Sequence, residues 1–342
     1  MRNNLTPVDS NPVANSAPHL LPLVYHDHYS IPFPAGHRFP MRKFGLLAKT
    51  LSELGILTPE NTYSPSPLSL TTLMAAHDKE YVRRFIRGQL TQQEEKNIGL
   101  PWSEWLVERT LRAVSGTILT SDLALTHGLA CHLAGGTHHA GPGYGAGFCI
   151  FNDLAVAALA LVNSGKAKKV LILDCDVHQG DGTVAFFQDR KDIIPISWHC
   201  EENYPAIKQA GGINIAIPKG AADDEYLAII HDTLPSLLAE HQADFIFYDA
   251  GVDVHRDDRL GYVNLTDAGV LARDKYVIET CLALGLPTAC VIGGGYDRQE
   301  ENVAWRHSLL HQAAHQVWSN VVGGQNRGPK TGKAPQKPPK LL

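Results

Sequence analysis

Two hydrophobic periods alternate along this chain. Short uninterrupted apolar runs, such as Val170-Leu171-Ile172-Leu173 and Phe245-Ile246-Phe247-Tyr248, have the length of buried strands. Longer stretches carry apolar residues every three or four positions, the signature of helices with one buried face. This reading predicts strands at 21–25, 128–133, 170–174, 193–199, 213–217, 245–248 and 288–292. It predicts helices at 41–54, 78–86, 105–125, 153–164, 183–188, 223–241, 266–284 and 302–319. Strand and helix in such succession imply an α/β fold: a mostly parallel sheet with helices on both faces. No linker-like stretch interrupts residues 20–322, which are read as one domain, and no repeat suggests a solenoid. Residues 1–19, rich in Asn, Pro and Ser, and residues 323–342, rich in Gly, Lys and Pro, offer no packing face and are expected to be flexible tails.

Composition narrows the function classes. A chain of 342 residues with 44% hydrophobic and 19% charged residues is an ordinary globular protein able to bury a large core. A formal net charge of −5 gives no basic surface with which to displace counterions, which argues against nucleic acid as a direct ligand. No apolar stretch is long enough to span a bilayer, and the first residues lack the apolar core of a signal peptide. The 6 cysteines form no Cys-x-x-Cys pair and read as small buried residues of a reducing compartment. A soluble, intracellular, cytoplasmic-type protein without a membrane span is expected.

The reactive residues cluster on loops that follow predicted strands, where an open parallel sheet forms its ligand crevice. After strand 170–174 comes Cys175-Asp176-Val177-His178-Gln179-Gly180-Asp181. Asp176 and His178 lie two positions apart and project to one side of an extended segment, a pairing suited to a divalent metal such as zinc. A strand-to-helix turn capped by Asp181 or Thr183 is the alternative without chemistry. After strand 245–248, Asp253 can supply a third ligand, and two aspartates with one histidine leave a coordination position open for catalysis. A solvated loop aspartate is the competing reading.

Two further loops complete the set. His138 and His139 sit on a glycine-supported turn, and imidazoles titrating near neutrality suit proton transfer. Adjacent histidines are equally a common surface feature. Tyr296 follows Gly293-Gly294-Gly295, where a phenol can donate to a developing oxyanion. The glycine run has neither the spacing of a dinucleotide fingerprint nor the Lys-Ser/Thr of a P-loop. Packing at the rim is the alternative for Tyr296.

In order along the chain, Gly135-Gly136-Thr137-His138-His139, Gly147-Phe148-Cys149, Asn152-Asp153, Asp174-x-Asp176-x-His178-x-Gly180-Asp181-Gly182, Gly251-x-Asp253 and Gly293-Gly294-Gly295-Tyr296 resemble the zinc-dependent histone deacetylase family, with its arginase/deacetylase fold. Tyr25-His26, Phe33-Pro34 and Asp258-Arg259-Leu260-Gly261 make it most similar to the single-domain class IV branch. The resemblance implies that Asp176, His178 and Asp253 bind one zinc per chain. It makes His139, paired with Asp181, the principal general base and acid, and His138, held by Asp174, its electrostatic neighbour. Tyr296 polarises the acyl carbonyl. Phe148 and Tyr204 wall the acyl-lysine channel, and Gly147 offers its carbonyl to the substrate amide. A structural potassium is implied at the backbone oxygens of Asp174, Asp176, His178, Ser197 and Trp198.

One departure concerns the rim. Many members carry an aspartate ahead of the histidine pair that clamps the substrate backbone, whereas Ile98-Gly99-Leu100-Pro101-Trp102-Ser103 contains none. The expected activity is removal of acetyl or longer acyl groups from a protein's acylated lysine or a small acylated amine. A two-manganese ureohydrolase of arginase type and a non-catalytic acyl-lysine binding protein remain the alternatives.

Overall fold

The computed structural model describes residues 20–325. The expected N-terminal tail, and the C-terminal one beyond Gln325, lie outside the described residues. In chain order the elements are β1 (Leu23–Val24), α1 (Lys43–Glu53), β2 (Thr62–Tyr63), α2 (Leu70–Ala76), α3 (Lys79–Ile86), α4 (Gln92–Ile98), α5 (Glu104–His127), β3 (Leu129–His132), α6 (Asp153–Asn163), β4 (Val170–Asp174), α7 (Asp181–Phe187), β5 (Ile193–Cys200), β6 (Ile213–Ile217), α8 (Asp223–His241), β7 (Phe245–Asp249), α9 (Asp267–Ala283), β8 (Thr288–Val291) and α10 (Glu300–Gln325).

The strands form one sheet in the order β2-β1-β3-β8-β7-β4-β5-β6, and every pairing is parallel. Successive strand residues face opposite sides. Leu171, Leu173, Ile246, Tyr248 and Cys290 join the larger apolar core, while Val170, Ile172, Phe245, Phe247 and Val291 join the smaller core. Both faces are therefore covered, which is why these strands read as continuous apolar runs rather than alternating ones. The cysteines are all buried and free. Among the described residues no helix is long and apolar enough to cross a membrane.

Strand order determines what the loops can do. From β4 the chain continues outward to β5 and β6, then returns to β7 on the other side of β4. This reversal is the switch point at which open α/β sheets bind ligands. It makes β3, β8, β7 and β4 consecutive neighbours, so the four loops carrying the reactive residues emerge side by side.

The differences from the sequence-based elements are local. β1 shrinks to two residues, and β2, α2 and α4 were not expected because segments this short barely develop a period. α4 nevertheless carries its own signal: Thr91 and Glu94 form a capping box, and Gly99 ends the helix at φ 74°. α10 runs to Gln325, past the expected boundary at 322.

Candidate active site

The loop after β3 is held by the start of α6. Asp153 accepts the backbone N–H groups of Gly136 (3.2 Å) and Thr137 (2.7 Å), fixing the turn from which both histidines project. His138 Nδ1 lies 2.8 Å from Asp174 Oδ2, and His139 Nδ1 lies 2.6 Å from Asp181 Oδ1. Asp181 is thus the partner of His139. Neither it nor Thr183 caps α7, whose N-cap is Gly180 without a side-chain bond.

The two imidazoles sit in different fields. Burial opposes a charge on His138, but Asp174 and Asp176 outweigh it and hold its pKa well above the ordinary value. Burial and the neighbouring His138 lower the pKa of His139 to about 4, against the pull of Asp181. One ring of the pair is therefore charged and the other neutral.

Next to them, ligand atoms of Asp176, His178 and Asp253 lie within 4.8 Å of one another, all buried. His178 Nδ1 is 2.9 Å from Asp176 Oδ1 and 3.1 Å from Asp253 Oδ2. Backbone N–H groups orient the carboxylates: Val177 donates to Asp253 at 2.8 Å, and Gly294 to Asp176 at 2.7 Å. A Cβ at Gly294 would collide with both carboxylates, so the Gly293-Gly294-Gly295 loop can approach this close only without a side chain. Asp253 Oδ2 has no hydrogen-bond donor. Two buried carboxylates and an imidazole around one point, with an acceptor left over, fit a divalent cation of zinc type.

A second group, His138, Asp174 and Asp249, shows the same spacing. There Nδ1 of His138 is already bonded to Asp174. Asp249, opposite Asp174 in the sheet, has no hydrogen-bond partner on either oxygen, and burial followed by Asp174 raises its pKa well above the usual carboxylate range. Ser197 faces Asp174 from β5, and Trp198 follows it. Of the residues expected around potassium, Asp174, Ser197 and Trp198 are close in the sheet and Asp176 and His178 lie on the loop after β4, while the ion remains an expectation.

The walls come from distant segments. Phe148 adopts φ 68°, and its N–H donates to Ile98 O at 2.8 Å while that of Gly147 donates to Asn97 O at 3.1 Å, so the end of α4 holds this turn. A Cβ on Gly147, itself at φ 54°, would come within 2.6 Å of His139 Cδ2. The Phe148 and Tyr296 rings lie 5.7 Å apart, and the half-exposed Tyr204 meets His139 edge-on at 5.0 Å. These aromatics line an outer cavity of about 330 Å³ that reaches His139 and His178. Burial, then Asp176 and Asp253, push the Tyr296 phenol well above its ordinary pKa, so it keeps its proton. Its backbone N–H is held by Asp258 at 2.6 Å.

A family model for the histone deacetylase domain matches residues 37–311. The chain belongs to the histone deacetylase family. Among its relatives, an uncharacterized protein of Picosynechococcus is 50% identical over 87% of this chain and 99% of its own length. Histone deacetylase 2 of Arabidopsis thaliana is 26% identical over 82% of this chain and 76% of that protein. Acetoin utilization protein AcuC of Staphylococcus xylosus is 29% identical over 89% and 82%. The crystal structure of the HDA15 HD domain shares the fold, with a TM-score of 0.70 over 91% of this chain and 96% of that one at 22% identity. Membership in the family makes the chain a hydrolase of deacetylase type.

Several residues at this histone deacetylase site escaped the sequence reading. Lys43 and Arg109, both buried, line an inner cavity of about 50 Å³ together with His138, His139 and Tyr296. Lys43 donates to Gly293 O at 3.3 Å, and its pKa falls to about 8 through burial and the nearby Arg109. Arg273, on α9, donates to Cys175 O (3.0 Å) and Gly251 O (2.8 Å), tying together the two loops that carry the carboxylates. Cations in helices far along the chain leave no local signal. Asp249 was one residue beyond a strand boundary drawn at 248.

Proposed function

We propose that this chain is a zinc-dependent amidohydrolase of the class IV type that removes acetyl or longer acyl groups from lysine side chains or small acylated amines. The observation that carries the reading is the buried Asp176, His178 and Asp253 group beside His139, which is bonded to Asp181, and Tyr296, which lines the same cavity. Asp176, His178 and Asp253 would hold one zinc, which supplies Lewis-acid polarisation of the acyl carbonyl and makes a water more acidic.

This chain's own residues divide the remaining work. With Nδ1 committed to Asp181, His139 has Nε2 free to take a proton from the attacking water and return it to the leaving amine. The Tyr296 hydroxyl donates to the oxygen that gains negative charge. The charge on His138 stabilises the same region electrostatically. Gly147, Phe148 and Tyr204 border the path along which an extended acyl amine reaches these groups. The inner cavity offers several water molecules' worth of space beside two cations, a place for the carboxylate product.

The test is metal analysis together with turnover of an acetyl-lysine peptide and a long-acyl-lysine peptide. One zinc per chain, hydrolysis of at least one peptide, and loss of both metal and turnover in His178→Ala are expected. Two manganese ions per chain would instead favour the ureohydrolase. Zinc retention without hydrolysis of either peptide would favour an acyl-lysine binding protein.

A further inference from the structure

We propose that the mouth of the channel selects acylated amines that carry a carboxylate at the end remote from the acylated nitrogen, such as the α-carboxylate or an acidic flanking residue of an acyl-lysine, a specificity that rests on the deacylase reading above and goes beyond it. The outer cavity that reaches His139 and His178 is lined by two arginines, Arg38 and Arg259, and by no aspartate or glutamate. Both arginines are exposed, and among the described residues neither side chain has an ion-pair partner. Other arginines of the surface are engaged: Arg84 meets Glu94 at 2.6 Å, and Arg112 meets Glu108 at 2.9 Å. The backbone N–H of Arg259 donates to Tyr296 O at 3.1 Å, which anchors this residue beside the reacting end.

Neighbouring carboxylates do not neutralise the mouth. Arg259 also lines an adjoining groove of about 650 Å³ that contains Asp297, Arg298 and Glu300. Asp297 is engaged by Arg306 at 2.9 Å, and Glu300 accepts the backbone N–H of Arg42 at 2.6 Å. On the loop bearing Tyr204, the side chains of Glu201 and Glu202 contact His199 at 3.8 Å and Cys200 at 3.7 Å, and neither glutamate lines the cavity. Lys208 of that loop caps the carbonyls of Glu201, Asn203 and Pro205. The rim segment 98–103 has no carboxylate with which to hold an ammonium group or a peptide N–H.

An acyl-lysine inserted to His139 leaves its α-carbon and flanking residues at this mouth. A cationic substrate there faces two guanidiniums without an ion-pair partner, whereas a carboxylate finds two planar donors. Exposed pairs are individually weak, so two of them together amount to about a 3–30-fold preference, screened by salt.

The experiment compares kcat/KM of the zinc-loaded full chain on acetyl-lysine peptides flanked by Glu, Gln or Lys, and on Nε-acetyl-lysine with a free or amidated α-carboxylate. Fluorescence anisotropy with the same peptides gives Kd independently of turnover. The expected ranking is Glu over Gln over Lys, about 3–30-fold from end to end at low salt, and collapsing toward unity in the Arg38→Gln/Arg259→Gln double variant. Preference for the acidic peptide or for the free α-carboxylate distinguishes a protein segment from a small amino-acid derivative, and either supports the proposal. Equal or inverted rankings, or a ranking unchanged in the double variant, overturn it. If no peptide turns over, the deacylase reading fails and the Kd ranking alone decides the charge preference.

Discussion

Arg273→Met tests how the candidate metal loops are held, independently of any assay of activity. Arg273 and Asp274 are both fully buried, with Nε of the first 2.9 Å from Oδ1 of the second. The same guanidinium donates to the carbonyls of Cys175 and Gly251, at 3.0 and 2.8 Å. Burial pushes the Asp274 carboxyl up, and Arg273 opposes that shift. Methionine fills much of the volume but leaves the carboxyl with the Tyr248 hydroxyl at 2.6 Å as its remaining partner. Breaking a buried pair from one side costs about 3–5 kcal/mol. The two carbonyl bonds belong to the same group and are not added again. Urea unfolding at neutral pH should therefore show a loss of about 3–5 kcal/mol, and thermal unfolding a drop of roughly 4–8 °C. Adding Asp274→Leu removes the stranded carboxyl and should recover more than half of the loss. A single variant that costs less than about 1 kcal/mol, or a double variant no more stable than the single one, would refute the reasoning.

Three further outcomes are expected. His139→Ala should lose more turnover than His138→Ala, because only His139 is neutral and able to accept a proton, and equal losses in the two variants would contradict the division of roles. Tyr296→Phe should lower kcat roughly 100–1000-fold while metal content and unfolding midpoint stay unchanged, and a kcat within a few-fold of the parent would remove the phenol from the mechanism. Acid should destabilise the fold early: burial lowers His77, His199 and His311 to about 4 and His132 to about 3. Below their unfolded pKa of about 6.5 the unfolded chain binds protons that the folded chain refuses, so stability is full above that pH and falls by up to about 1.4 kcal/mol per pH unit for each histidine on the way down. His138 is held above that range, remains charged in both states there and does not offset the fall, whereas the raised carboxyls of Asp249 and Asp258 bind protons in the folded state first and offset part of it. A urea midpoint constant from pH 7 to 5 would count against this account.

By itself the sequence determined which loops carry the reactive residues and most of the elements around them. Strands β4 and β7 were legible because both of their faces are buried, leaving apolar runs with sharp polar ends. The reactive loops were legible because each begins where such a run stops, and Asp176 and His178 are near neighbours whose pairing needs only extended backbone. What tertiary structure decided is which loops meet. Placing β8 and β7 between β3 and β4 brings His139, Asp253 and Tyr296 to one point although they lie far apart in the chain. The strand order follows from long-range pairing and helix packing, which no local period encodes. The same applies to Arg273 reaching from α9 to two loop carbonyls, and to α4, a seven-residue helix that holds Phe148. The charge of the channel mouth is likewise a tertiary property: Arg38 and Arg259 are unremarkable surface residues until the fold sets them around one opening without a carboxylate between them.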